Sequence, residues 1–131
     1  MAVMAHANGA RTVEAAAKAG VDSVEHGAYL DEDALQAMEE AGTVWVPTLS
    51  TIGNLRGAGR FSEKAVAAIL ESAMENVSCY KGFLAIGSDA GAWRVPHVEG
   101  IASELAYLKG IVDESHLEKT EILLRKRFSK R

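Results

Sequence analysis

The chain has 131 residues, 48% apolar and 24% charged, with 14 Lys and Arg against 18 Asp and Glu for a formal charge of −4. That length and balance fit one soluble globular domain and are too short for a complete eight-unit α/β barrel. The negative charge disfavours nucleic acid and anionic membrane surfaces as partners. No segment approaches the ~20 apolar residues of a membrane span, and the start lacks a basic region followed by an apolar run, so cytoplasm is the expected compartment.

Read in order, short β-branched runs alternate with amphipathic helical stretches, the pattern of βα units on a parallel sheet. The first strand spans about Ala2 to His6, followed by a helix from Thr12, taken as its N-cap, to Gly20. "VDSVEH" is the second strand, and Asp31 caps the next helix, with Leu30 and Leu35 in the staple positions and Gly42 at its end. "TVWVPTL" is the third strand, with Pro47 near its end, where a missing amide donor does least harm. "STIGNLRGAGRF" reads as a long glycine-rich loop, either a mobile lid, a binding loop or simple disorder. A helix from Ser62 then carries Val66, Ile69, Leu70, Ala73, Met74 and Val77 on one face.

"FLAIGSD" is the fourth strand, and "AGAWRVPHVEG" is a second unusual loop before helices at about 101–109 and from about Ser115. The chain is thus expected to form one domain, 1–131, with 113–131 as a terminal helix and a basic tail, "LLRKRFSKR", read as solvated. The single cysteine, Cys79, has no CxxC partner and is read as a structural, buried residue.

Three residues stand at the C-terminal ends of strands, where parallel α/β folds gather their chemistry: His6, His26 and Asp89. Each is followed within a few residues by glycine, which lets backbone or ligand approach closely. Two neutral imidazoles and a carboxylate suit a divalent metal, Zn²⁺ first and Mn²⁺ or Fe²⁺ as alternatives, and three ligands leave a position for water. Such a metal lowers the pKa of its water toward ~7, and Asp89 is the one carboxylate of the three able to move the proton. Taken singly, each histidine also suits a hydrogen-bonded loop residue, and Asp89 a turn or helix cap.

"MAHANG", "SVEHGAYLDEDALQAMEEAGTVWVPTL" and "AIGSDAG" resemble the fifth to eighth βα units of the amidohydrolase superfamily, in its imidazolonepropionase-like and prolidase-like branch. The resemblance covers the chain to about Lys109. It implies an α/β fold of four βα units forming half of a TIM-type barrel, with His6, His26 and Asp89 as metal ligands and Asp89 also as catalytic proton shuttle. It implies a metal-dependent hydrolase of amide, peptide or cyclic amide C–N bonds, acting on a small-molecule substrate. The family's first-strand H-x-H pair and fourth-strand carboxylated lysine have no counterpart here, so activity is expected to be impaired.

A four-stranded half has two open edges, covered by a homo-oligomer or by a complementary N-terminal half-barrel, unless the chain is a truncated product. The alternative is a catalytically silent half-barrel serving as an oligomerisation or small-ligand-binding module. Tyr29, Thr48, Arg94 and His97 lie on loops after strands and are placed as substrate contacts, although Tyr29 and Thr48 equally suit helix entry and strand-end packing. Trp93 and Arg94 could instead stack on each other at the surface.

Overall fold

In the computed structural model, which describes residues 1–129, the alternation of strand and helix is realised as four βα units. Strands β1 (Met4–Ala7), β2 (Ser23–His26), β3 (Val44–Val46) and β4 (Phe83–Leu84) form one sheet in that order, each neighbouring pair parallel. The helices are α1 (Ala10–Lys18), α2 (Glu32–Ala41), α3 (Leu49–Gly53), α4 (Glu63–Cys79), α5 (Glu99–Leu108) and α6 (Glu114–Ser129). Among the described residues no helix is long and apolar enough to cross a membrane.

Several local signals act as expected. Asp31 accepts from the Ala34 N–H at 3.0 Å, Gly42 closes α2 at φ 65°, and the Ser62 hydroxyl accepts from Ala65 at 3.4 Å. Thr12 is not a cap. Helix α1 begins earlier, at Gly9, because the Gly9 and Ala10 N–H groups donate to the carbonyls of Ala28 and Tyr29. Pairing between two neighbouring loops sets that boundary, and no side chain does. The segment expected as a long loop after Ser50 continues α3 before turning, and "FLAIGSD" is paired only over Phe83–Leu84, with one further bond from Ala85 N–H to the Trp45 carbonyl. A three-residue β3 offers nothing longer to pair with.

Alternation and register divide the sheet into two faces. Ala7, Val24, Trp45 and Leu84 point into the main core, where Val13 and Ala17 of α1, Ala34 and Met38 of α2, and Leu70, Ala73 and Val77 of α4 meet them. Val44, Val46 and Ala85 point the other way and are covered by Leu123 and Leu124 of α6. The basic end of α6 is therefore more than a solvated tail. Arg127 donates to the carbonyls of Asp22 at 2.9 Å and Gly42 at 2.8 Å, joining the entries to β2 and β3, and lies 6.0 Å from the Phe83 ring centroid. Lys130 and Arg131 of that tail lie outside the described residues. Cys79, expected to be buried, is exposed at the last residue of α4, two positions beyond Val77, the last buried residue of its apolar face.

Candidate functional site

Strand register sets His6 beside Glu25 and Ala7 beside His26, so regular alternation would turn the His26 side chain toward the core with Ala7. It does not point there. His26 adopts φ 72°, and its ring meets that of His6 edge-on, centroids 4.3 Å apart at 71°. A left-handed residue at the strand end thus swings one imidazole across to the other.

The surroundings hold this geometry. The His26 carbonyl accepts from the buried Trp45 indole N–H at 2.9 Å, and Gly27 N–H donates to the carbonyls of Ala7 and Glu25. On the ring itself, Nδ1 lies 2.8 Å from Thr48 Oγ1, so in the tautomer with its proton on Nδ1 the other nitrogen, Nε2, presents a lone pair. Burial, and then the neighbouring His6, hold the His26 pKa below its ordinary value, while Asp89 pulls it up. A neutral imidazole is the form that ligates a metal.

Backbone strain gathers at the same end of the sheet. Among the described residues the non-glycine positions with positive φ are His26, Tyr29, Thr48, Asp89 and Arg94, His26 as the last residue of β2 and the others in the segments beyond strand ends. Each such position costs about 1–3 kcal/mol, most for a β-branched residue such as Thr48, and strain of this kind concentrates at functional sites. Asp89 is exposed, and its carbonyl accepts from Ala92 N–H at 3.0 Å as the chain turns into the second loop.

The other candidates divide. Thr48 is 2% exposed and bonded to His26, which makes it a support for the ring. Tyr29 is largely exposed and its carbonyl ties the loop to α1. Arg94 and His97 are exposed, Arg94 offering its carbonyl to the Asn54 amide at 3.0 Å. Trp93 is faced by Arg60, 5.5 Å from its centroid, a cation supplied by the neighbouring loop in place of the expected Arg94.

Two carboxylates escaped the sequence reading. Glu25 is the lateral partner of His6 in the sheet, accepts from the Ser23 hydroxyl at 2.7 Å, and is raised in pKa by burial, with the Ser23 bond opposing and Asp89 adding to the rise. Only the register reveals its proximity to His6. Glu104 on α5 is fully buried and accepts from the Leu49 N–H at 2.9 Å and the Ser50 N–H at 2.7 Å. An acidic residue on a short helix gave no signal of that.

In donor chemistry and in their proximity, His6 and His26 suit a divalent metal. No three His, Cys, Asp or Glu side chains among the described residues are gathered closely enough to hold an ion by themselves. The fit is that of a partial ligand set.

No family model matches the chain. It is similar to two named enzymes. Over 90 residues, 65% of its length, it is 33% identical to the ochratoxinase of Aspergillus niger, of which that stretch is 18%. A crystal structure of a Xaa-Pro dipeptidase with bound methionine in the active site superposes on 98% of the chain with a TM-score of 0.76 and 26% identity, the match covering 34% of that chain. The structure of A. niger ochratoxinase superposes on 92% with a TM-score of 0.68 and 27% identity, covering 28% of its chain. Both are amidohydrolase-like, and the chain spans well under half the length of either.

Proposed function

We propose that this chain carries the His6, His26 and Asp89 portion of a metal-dependent hydrolase of amide or peptide C–N bonds, acting in the cytoplasm on small-molecule substrates. The observation that carries the reading is the meeting of the His6 and His26 rings, produced by a left-handed strand end held in place by Thr48 and Trp45. Similarity to a Xaa-Pro dipeptidase and to an ochratoxinase supports the bond class.

A bound divalent ion, Zn²⁺ before Mn²⁺ or Fe²⁺, would supply an activated water and polarise the scissile carbonyl. His6 and His26 would hold it, and Asp89 would take and return the proton at its carboxylate. Thr48 orients His26, and Tyr29, Arg94 and His97 stand on the loops where substrate would lie. The ligand set is completed by donors outside these residues, in a complementary half-barrel whose strands also cover the free edges of β1 and β4. Ile86, just after β4, and Ile101 and Leu105 of α5 are exposed and line one cleft, and suit such a cover.

A second reading, a silent module that binds a small ligand or a second copy, is favoured by the lack of an assembled three-donor cluster among the described residues. Elemental analysis after metal-replete purification separates the two. The hydrolase reading expects up to one weakly held divalent ion per chain, lost in His26→Ala, with little turnover of dipeptides or N-acyl amino acids until a half bearing the missing donors is added. Equal metal content in wild type and His26→Ala would discard it.

A further inference from the structure

We infer that Glu104 is a positioning residue for the candidate centre: its buried carboxylate fixes the backbone of residues 48–50, and through it both the His26 ring and the strand exit that leads to Asp89. The inference rests on the reading of His26 as a metal ligand.

Thr48 occupies the N-cap position of α3, where a threonine hydroxyl ordinarily accepts a backbone N–H of the first turn. Here φ 48° and ψ 45° turn the residue left-handed, it makes no side-chain cap bond, and its hydroxyl lies on His26 Nδ1 instead. The first N–H groups of α3 are thereby orphaned among residues with no solvent access, Leu49 and Ser50 both being 0% exposed. Glu104 replaces the missing cap from 55 residues away, one oxygen accepting from Leu49 and the other from Ser50. Thr48 is released for the imidazole because another residue satisfies the helix.

The same clamp reaches Asp89. The Ser50 hydroxyl donates to the Ser88 carbonyl at 3.2 Å, one residue before Asp89. Gly100, one turn ahead of Glu104 on α5, packs so closely on that strand exit that a Cβ would come within 2.9 Å of Ser88 Oγ. Helix α5 therefore bears on the supports of both candidate ligands. Among the described residues no cation pairs with Glu104, and a buried carboxylate without one is a poor choice for stability alone. Its merit is geometric: a carboxylate has two acceptor oxygens for two N–H groups, whereas the Gln amide has one.

Glu104→Gln tests this in the whole chain, with three readouts: melting temperature, the tautomer populations of His26 from long-range ¹H–¹⁵N spectra at about pH 8, above the ordinary imidazole range, and Co²⁺ affinity from visible absorption. Positioning predicts one dominant His26 tautomer in wild type, a mixture in Glu104→Gln, and Co²⁺ binding weakened about 10–100-fold, as when support is removed from a metal ligand. A helix cap with no further role lowers the melting temperature while the His26 spectrum and the Co²⁺ affinity of the folded protein stay as in wild type, and that result overturns the inference. Thr48→Val, close in shape, reads the last link even if Glu104→Gln does not fold. An unchanged His26 tautomer in Thr48→Val likewise overturns it. If wild type binds no Co²⁺ at all, the metal reading fails, and the His26 spectra still decide the role of Glu104.

Discussion

The indole N–H of Trp45 donates to the carbonyl oxygen of His26 at 2.9 Å, joining the centre of β3 to the left-handed end of β2. Trp45 is fully buried, and its ring also meets Tyr80 edge-on at 5.4 Å. One large side chain thus anchors the core and fixes the backbone from which a candidate ligand projects. Trp45→Phe should keep most of the packing and orphan the carbonyl, a loss of about 1–3 kcal/mol with a further contribution from the smaller ring. Thermal unfolding measures it, and a melting temperature within a degree of wild type would show that the bond contributes nothing.

Gly27 is the residue that lets Trp45 come so close. It has φ 63°, and a Cβ on it would stand 2.6 Å from Trp45 Nε1. Gly20 has φ 81° with nothing within 4 Å of the corresponding position. Gly20→Ala should therefore cost only the backbone strain, about 1 kcal/mol, whereas Gly27→Ala adds a steric collision and should cost roughly 2–4 kcal/mol and displace the His26 resonances. Equal losses in the two variants, measured by urea unfolding, would remove the collision from the account.

What the sequence made legible was local. Asp31, Gly42 and Ser62 act through neighbours three or four residues away, and the strand-end positions of His6 and His26 follow from the alternation of βα units, whereas Asp89 lies five residues beyond the end of β4. What escaped it depends on partners distant in the chain. Glu104 reaches Leu49 across 55 residues and Arg127 reaches Asp22 across 105. Glu25 becomes a neighbour of His6 only through strand register, and the ring contact between His6 and His26 needs a positive φ that no propensity assigns to histidine in a strand. The rest of the site is a matter of tertiary contacts, which periodicity does not encode.

Asp31 supplies a control. Its carboxylate accepts the Ala34 N–H at the start of α2 and shares no hydrogen bond with His26 or Thr48. Asp31→Ala should lower stability by about 1 kcal/mol, the usual loss of an N-cap, while leaving the His26 spectrum as in wild type. A disturbed imidazole in this variant would mean that His26 responds to stability in general and not to its own supports.

The pH dependence of stability isolates Glu104. Burial raises its carboxyl above the ordinary value of 4.5, against the opposing pull of the Ser50 and Leu49 N–H groups. Between the ordinary and the raised value the folded chain keeps a proton that the unfolded chain has released, so stability falls as pH rises through that interval. Glu104→Gln has nothing to titrate at this position. Its stability relative to wild type should therefore improve from about pH 4 toward neutrality, even if it remains the less stable protein throughout. Taking the difference also cancels Glu25, whose pKa is raised in the same direction and which is present in both chains. Urea midpoints at successive pH values give the comparison, and a difference that is flat, or that moves further in favour of wild type as pH rises, would show that the folded state does not hold the Glu104 proton more tightly than water does.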